Sequence, residues 1–127
     1  MDIIDGKIPS YKVYEDDSFF AFLDIYPRAK GHTLVIPKEP YRWVYDTPEF
    51  GQYWEVVHKI TKAIQRGLQP TWVNYATFGL EVPHAHIHIL PRYTPTDSKG
   101  EAVFPKEILK FEKSEFEEIA EKIRSGF

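Results

Sequence analysis

Residues 79–92 read GLEVPHAHIHILPR and contain three of the five histidines of the chain. These three occupy every second position and are His84, His86 and His88. Side chains alternate between the two faces of a β-strand, so this spacing predicts a strand with three imidazoles on one face. The residues predicted on the opposite, core face are Ala85, Ile87 and Ile89. One face of this short segment is therefore predicted to pack in the core, and the other to carry reactive side chains.

Three imidazoles on one face support two kinds of chemistry. In a metal site, two of them would bind zinc together with a third ligand from elsewhere in the chain. The candidates for that ligand are His32, His58, Asp24 and Glu81. In nucleophilic catalysis, a neutral imidazole would attack phosphorus and form a covalent phosphoramidate. The residues alone leave both alternatives open.

Composition limits the remaining classes. The 127 residues are 43% hydrophobic and 16% aromatic, which predicts one domain spanning 1–127 with a substantial core. A net charge of -3 is not typical of a surface that binds a nucleic acid polymer, but it allows a nucleotide ligand. No cysteine is present, so disulfides and thiolate ligands are excluded. With no signal-like start and no apolar run of membrane-spanning length, we expect a cytoplasmic protein without a membrane partner.

The order of predicted elements is β-β-β-α-β-β-α. The long helix is predicted to begin with Thr47 as its N-cap and Pro48 as its first helical residue. The final helix is predicted to begin at Ser114, which forms a capping-box pattern with Glu117. Strands joined directly by turns favour an α+β domain with an antiparallel sheet.

The sequence HAHIHIL fits the pattern His-x-His-x-His followed by apolar residues, and the chain resembles the histidine triad nucleotide-binding proteins. The similar segments are DGKIPSYKVYEDDSFFAFLDIYPRAKGHTLVIPK (5–38), VNYATFG (73–79) and VPHAHIHILPRY (82–93). The resemblance implies a five-stranded antiparallel sheet with one long helix and a C-terminal helix, assembled as a homodimer. It also implies a hydrolase or transferase that acts at the α-phosphate of a purine nucleotide conjugate. The implied substrates are adenosine phosphoramidates, adenylates and dinucleoside polyphosphates.

The resemblance also assigns roles to residues. His86 matches the nucleophile, which forms a nucleotidyl-histidine and then releases a nucleoside monophosphate. His84 and His88 match the flanking triad members, and His32 matches a fourth histidine near the phosphate. Asp24 matches the carboxylate that binds the ribose hydroxyls. The remaining matches are Ile3, Phe22 and Ile25 around the base, and Asn74, Gly79 and Glu81 near the phosphate.

The chain departs from the family pattern at two places. It lacks the N-terminal cysteine pair of many members and has Pro40 where they often carry a histidine, so we expect no structural zinc and no cofactor. Leu80 follows Gly79, where relatives commonly have glutamine, and it cannot donate a hydrogen bond to a phosphate. We therefore expect small adenylate leaving groups to be handled better than polyphosphate chains. The alternatives are a nucleotide sensor without catalysis on the same fold and a metal-dependent hydrolase.

Overall fold

The computed structural model of the chain describes residues 10–80, 82–93, 105 and 107–127. Within them the chain forms an α+β fold, as predicted. The strands are β1 (Lys12–Glu15), β2 (Phe19–Leu23), β3 (Thr33–Pro37), β4 (Trp72–Ala76) and β5 (Ile87–Arg92). The helices are α1 (Phe50–Leu68) and α2 (Lys113–Arg124), and a short 3-10 helix covers Val44–Asp46. Neither described α-helix is apolar enough over a sufficient length to cross a membrane.

The five strands form one antiparallel sheet in the order β1-β2-β3-β5-β4. The prediction of a five-stranded antiparallel sheet is therefore confirmed. Strand β5 lies between β3 and β4, with Leu34 opposite His88 on one side and Ala76 opposite His88 on the other. This placement puts His88 near the middle of the sheet, where neighbouring strands fix its backbone on both sides.

The two faces of the sheet have different partners. On β2, Phe19, Ala21 and Leu23 belong to the main core together with buried residues of α1 and α2. Phe20 and Phe22 alternate with them and form a smaller buried cluster on the other face. The predicted core residues of the histidine segment, Ala85, Ile87 and Ile89, are all fully buried in the main core. His88 therefore faces away from the helices.

Helix α1 begins later than the sequence predicts. Its N-cap is Glu49, and Thr47 instead ends the preceding 3-10 helix by donating its backbone N–H to the Val44 carbonyl. Pro48 and Glu49 form a turn between the two helices. The prediction of Thr47 as N-cap was wrong because Thr47 is the C-cap of the preceding 3-10 helix. Helix α1 ends at Leu68, and Gln69 adopts the left-handed conformation.

The histidine segment is only partly a strand, which corrects a second prediction. Strand β5 begins at Ile87, so His88 lies in the sheet while His84 and His86 precede it. The ladder between β3 and β5 ends at Val35 opposite Ile87. Pro37 at the end of β3 and Pro83 before the histidines lie beyond this pair and have no backbone N–H with which to continue it. The backbone of Ala85 donates instead to the Tyr41 carbonyl at 2.6 Å.

Helix α2 begins at Lys113, one residue before the predicted Ser114, and its N-cap is Glu112. The capping box therefore joins Glu112 and Glu115, two residues before the predicted pair of Ser114 and Glu117. A glutamate carboxylate can accept the same backbone hydrogen bond as a serine hydroxyl, so the pattern is shifted by two residues. The buried residues of α2 are Phe116, Ile119, Ala120 and Ile123.

Candidate active site

A cavity of about 550 Å³ lies on the face of the sheet opposite the helices. It brings together six of the residues predicted for the site. These are Phe22, Asp24, Gly79, His84, His86 and His88. The triad thus shares one cavity even though only His88 belongs to a regular strand.

Two apolar walls flank the histidines. The sheet wall consists of Phe22 on β2 with Leu34 and Ile36 on β3. The loop wall consists of Phe78, Leu80 and Val82, which lie between β4 and β5. The three histidines line the same cavity as both walls.

The ring of His86 is oriented by the backbone of its neighbour. Its Nδ1 lies 2.8 Å from the His84 carbonyl oxygen, and a carbonyl oxygen can only accept. Nδ1 must therefore carry a proton and donate it. In the neutral ring, Nε2 is then the nitrogen with the lone pair, which is the form that a nucleophile requires.

His84 is held in the same way from the sheet. Its Nε2 donates to the Pro37 carbonyl at 2.8 Å, at the end of β3. Pro37 has no N–H of its own, but its carbonyl still accepts, so the end of the strand becomes an anchor for the ring. Nδ1 is the ring nitrogen of His84 that this hydrogen bond does not use.

His88 and His32 form a buried pair whose tautomers follow from one backbone amide. The N–H of Arg28 donates to His32 Nδ1 at 3.1 Å, so a neutral His32 carries its proton on Nε2. That nitrogen lies 2.9 Å from His88 Nδ1 and donates to it. His88 consequently carries its own proton on Nε2.

Both rings of the pair are kept neutral by burial. Burial, with smaller contributions from His88 and Arg28, lowers the pKa of His32 to about 3. Burial likewise lowers the pKa of His88 to about 4, with smaller effects from His86 and Arg28. The desolvated ring disfavours the imidazolium form, so the hydrogen-bond chain of neutral tautomers persists at neutral pH.

Asp24 lies at the end of β2 and lines the cavity. Its Oδ1 accepts the backbone N–H of Tyr26 at 2.8 Å, which fixes the carboxylate in a turn. Burial raises its pKa, while the Tyr26 N–H and the charges of Arg28 and His86 act in the opposite direction. Oδ2 lies 3.7 Å from His32 Nε2, but this contact is not an ion pair because His32 is neutral.

Asp24, His32 and His88 are close enough to suggest a metal site, with one donor atom of each within 4.8 Å of the others. The hydrogen bonds of His32 do not fit such a site. A metal at Nε2 would displace its proton to Nδ1, where it would face the N–H of Arg28, or would leave the ring as an anion. This cluster is better described as a hydrogen-bonded pair beside a carboxylate.

A sequence model described as the HIT domain matches residues 5–95 of the chain. The chain belongs to the HIT family. Protein hit of Bacillus subtilis is 47% identical over 105 residues, covering 77% of this chain and 72% of that protein. The adenosine 5'-monophosphoramidase of Schizosaccharomyces pombe is 35% identical over 132 residues, covering 96% and 95%. The crystal structure of a hypothetical histidine triad nucleotide-binding protein from Sulfolobus tokodaii superposes with a TM-score of 0.85 at 30% identity, covering 98% of this chain and 88% of that one.

Three residues predicted for the HIT site do not line its cavity. Ile25 is 54% exposed and lies off the wall that Phe22 forms. Asn74 on β4 accepts a hydrogen bond from Arg92 at 2.8 Å and is not part of the cavity lining. His32 is buried and hydrogen-bonded to His88 without lining the cavity, so its predicted catalytic role stays a prediction. Ile3 and Glu81 lie outside the described residues.

Several lining residues were not predicted from the sequence. They are Tyr26, Arg28, Leu34, Ile36, Phe78 and Val82. Alternation about the buried Val35 could have placed Leu34 and Ile36 on the cavity face. Phe78 and Val82 occupy even-numbered positions, as Leu80 and the histidines do. Extending the every-second-residue pattern upstream of His84 would therefore have identified them. Nothing in the sequence indicates Arg28, which reaches the cavity through the turn after β2.

Gly79 has a packing role besides its place on the cavity wall. A Cβ at this position would lie 2.5 Å from Cζ3 of Trp43, well inside van der Waals contact. The absence of a side chain thus lets the Trp43 ring pack directly against the backbone. The predicted place of Gly79 near a bound phosphate stays a prediction.

Proposed function

We propose that the protein is a nucleotidyl hydrolase or transferase that acts at the α-phosphate of nucleotide conjugates. The observation that carries this proposal is the orientation of His86, whose Nδ1–H is held by the His84 carbonyl at 2.8 Å. This leaves the lone pair on Nε2 of a residue that lines the cavity. The phosphoramidase named among its relatives supports the same reaction class.

In this proposal the nucleoside lies over the sheet wall. Phe22, Leu34 and Ile36 offer an apolar surface to a purine base, which a nucleotide site requires. Asp24 can accept hydrogen bonds from the two ribose hydroxyls, since each of its oxygens has two lone pairs and Tyr26 uses only one of these. The α-phosphate then lies over the histidines.

The first chemical step forms a bond between His86 Nε2 and phosphorus. The bond from phosphorus to the leaving group breaks, and its electron pair departs with that group. The leaving group takes its proton from solvent, because the single proton of a neutral His84 is donated from Nε2 to the Pro37 carbonyl. His88 can donate from Nε2 to a phosphoryl oxygen. In the second step water attacks phosphorus and loses a proton to solvent, the phosphorus–nitrogen bond breaks and its electron pair returns to His86. The products are a nucleoside monophosphate and the regenerated enzyme.

The decisive experiment seeks the covalent intermediate. We expect rapid-quench mass spectrometry with adenosine 5'-phosphoramidate to find an adenylyl group on His86. His86→Ala should lower kcat by about 1,000-fold or more, because removal of a nucleophile removes the reaction path. His58→Ala, which removes an exposed histidine outside the cavity, is the matched control. Full activity of His86→Ala would contradict the proposal.

A second candidate function is a purine nucleotide sensor without catalysis. The observation that favours it is Leu80, an apolar side chain on the cavity wall that cannot assist a phosphate by hydrogen bonding. Calorimetry with AMP would report binding in either case. Binding of AMP together with no adduct and no turnover of any conjugate would favour the sensor.

We also propose that the protein is a homodimer. Strand β4 is an edge strand, and beside it Phe50 and Trp54 of α1 form an aromatic row with Tyr75. Phe50 is 45% exposed and Tyr75 is 41% exposed, so the row offers an apolar surface to a second copy. Sedimentation equilibrium would measure the mass directly, and a monomer at all concentrations would contradict this assignment.

A further inference from the structure

The connection between β2 and β3, residues 24–32, folds into a compact loop that is closed by its own hydrogen bonds. The Asp24 N–H donates to the His32 carbonyl at 2.9 Å, and the His32 N–H donates to the Ala29 carbonyl at 3.1 Å. The Arg28 N–H donates to the His32 ring at 3.1 Å. These bonds fix the backbone positions from which the side chains of this β2–β3 loop project.

Two side chains of the β2–β3 loop bring opposite charges to the cavity. Among the described residues that line the cavity, Asp24 supplies a carboxylate and Arg28 a guanidinium. Burial raises the pKa of Asp24, and the positive charge of Arg28 acts in the opposite direction. A cation has this effect on a carboxylate when the two are close, so the two charges act on the same part of the cavity.

The guanidinium of Arg28 is held from outside the loop. Its Nη1 donates to the Pro105 carbonyl at 2.7 Å, and the Leu109 N–H donates to the Pro27 carbonyl at 2.7 Å. A segment that follows β5 in the chain is thus attached to the β2–β3 loop at two points. A side chain that is already ordered loses less conformational entropy when it binds a ligand.

Arg28 has no role in the proposed reaction, although it lines the cavity. In that reaction Asp24 binds the ribose hydroxyls and the histidines bind the α-phosphate. The described cavity residues that belong to the β2–β3 loop are Asp24, Tyr26 and Arg28. A group attached to a ribose hydroxyl would therefore lie in the part of the cavity that this loop lines.

We propose that Arg28 forms a subsite for a second phosphate, carried on the 2'- or 3'-oxygen of the ribose, and that the protein selects nucleotide conjugates with this group. This inference rests on the proposed function, and the reaction at the α-phosphate is unchanged. A guanidinium is permanently charged and presents a planar set of donors that matches a phosphate. Asp24 would bind the hydroxyl that is not phosphorylated.

The balance of charge makes this selection depend on one side chain. A phosphate monoester carries a charge of about −1.5 to −2 at pH 7, so the Asp24 carboxylate alone would repel it. Arg28 offsets this repulsion and adds charge-assisted hydrogen bonds to the second phosphate. A cavity without the Arg28 charge should therefore disfavour the substrates that the natural protein prefers.

The test compares three substrates in the natural protein. They are adenosine 5'-phosphoramidate and its 2'-phosphate and 3'-phosphate derivatives. We expect kcat/KM to be about 10-fold higher for at least one phosphorylated derivative than for the parent compound, because hydrogen bonds to a charged group have effects of this size. The preferred isomer identifies the hydroxyl that faces Arg28. A kcat/KM that is equal or lower for both derivatives would overturn the subsite.

Two variants and a matched control assign the preference to one side chain. Arg28→Gln should reverse it, and Arg28→Lys, which keeps the charge, should retain part of it. Lys30→Gln is the control, since it removes a positive charge from the same loop at an exposed position that does not line the cavity. It should retain the preference of the natural protein. A preference that persists in Arg28→Gln, or that Lys30→Gln abolishes equally, would overturn the subsite.

The ratio of kcat/KM between substrates within one variant separates this role from others. If Arg28 served the α-phosphate instead, Arg28→Gln would lower kcat/KM equally for all three substrates and leave the ratio unchanged, which would overturn the subsite. Turnover of the parent phosphoramidate with an adduct on His86, but without preference for either derivative, would leave the proposed function intact. Absence of turnover and of an adduct with all three substrates would overturn both proposals.

Discussion

The sheet wall and the loop wall line the same cavity, but the fold holds them differently. Phe22 and Ile36 of the sheet wall are 7% and 2% exposed and lie in strands that are paired with neighbouring strands. Leu80 of the loop wall is 82% exposed and lies outside the strands. A substitution in the sheet wall therefore changes binding and stability together, whereas one in the loop wall can change binding alone. Substitutions in the loop wall are therefore easier for this fold to accommodate than substitutions in the sheet wall.

Among these predictions, the largest effect on kcat/KM should come from a substitution of Asp24, which lies beside the sheet wall. We expect Asp24→Asn to lower kcat/KM for adenosine 5'-phosphoramidate about 10- to 100-fold, because hydrogen bonds to a charged group contribute about 1.5–3 kcal/mol. The amide keeps the shape of the side chain but loses its charge and one acceptor. Initial rates over a range of substrate concentrations would measure the effect.

Asp17→Asn is the matched control, since Asp17 is exposed and lies outside the cavity. It should leave kcat/KM unchanged. A loss of less than about 3-fold in Asp24→Asn, which corresponds to about 0.7 kcal/mol, would show that the sheet side does not bind the ribose as proposed.

The buried pair of His32 and His88 should make the free energy of unfolding depend on pH. The pKa of His32 is lowered to about 3 and that of His88 to about 4, both mainly by burial. Below the unfolded value of about 6.5, the unfolded chain binds protons that the folded chain does not, so acid favours unfolding. The free energy of unfolding should fall as the pH decreases from 6.5 towards 4, by up to about 1.4 kcal/mol per pH unit for each histidine.

Urea unfolding at pH 6.5 and pH 5.0 would measure this dependence. His32→Gln removes one of the two buried rings and should make the decrease with acid shallower. His58→Gln, at an exposed position on α1, should retain the steeper decrease because the buried pair is intact. Equal pH dependence in the protein and in His32→Gln would contradict the assignment of His32 as a buried neutral ring.

The difference between local and long-range contacts explains which features could be predicted from the sequence. Alternation about Ala85, Ile87 and Ile89 identified the core face of the histidine segment, because burial of every second side chain is a local property. The start of β5 could not be predicted in this way. It depends on the pairing with β3, which stops at Val35 opposite Ile87, and Val35 is distant in sequence.

The residues of the site divide along a similar line. The triad and Asp24 could be predicted because their pattern is contained in short segments that resemble a family. The hydrogen bond between His32 and His88 could not, since it depends on the Arg28 amide and on a ring that is 56 residues away along the chain. Asn74 was assigned to the site from its match to the family, and its hydrogen bond to Arg92, a contact between strands, is not visible in the sequence.

The smallest expected effect is on the stability of the loop wall. We expect Leu80→Ala to change the free energy of unfolding by less than about 0.5 kcal/mol, because an exposed side chain leaves no cavity when it is shortened. Ile36→Ala, in the sheet wall, should cost about 2–5 kcal/mol as a buried large-to-small substitution. Chemical denaturation of the two variants in parallel measures both values. A loss above about 1 kcal/mol in Leu80→Ala would mean that the fold depends on this side chain, and the loop wall could then no longer vary independently of stability.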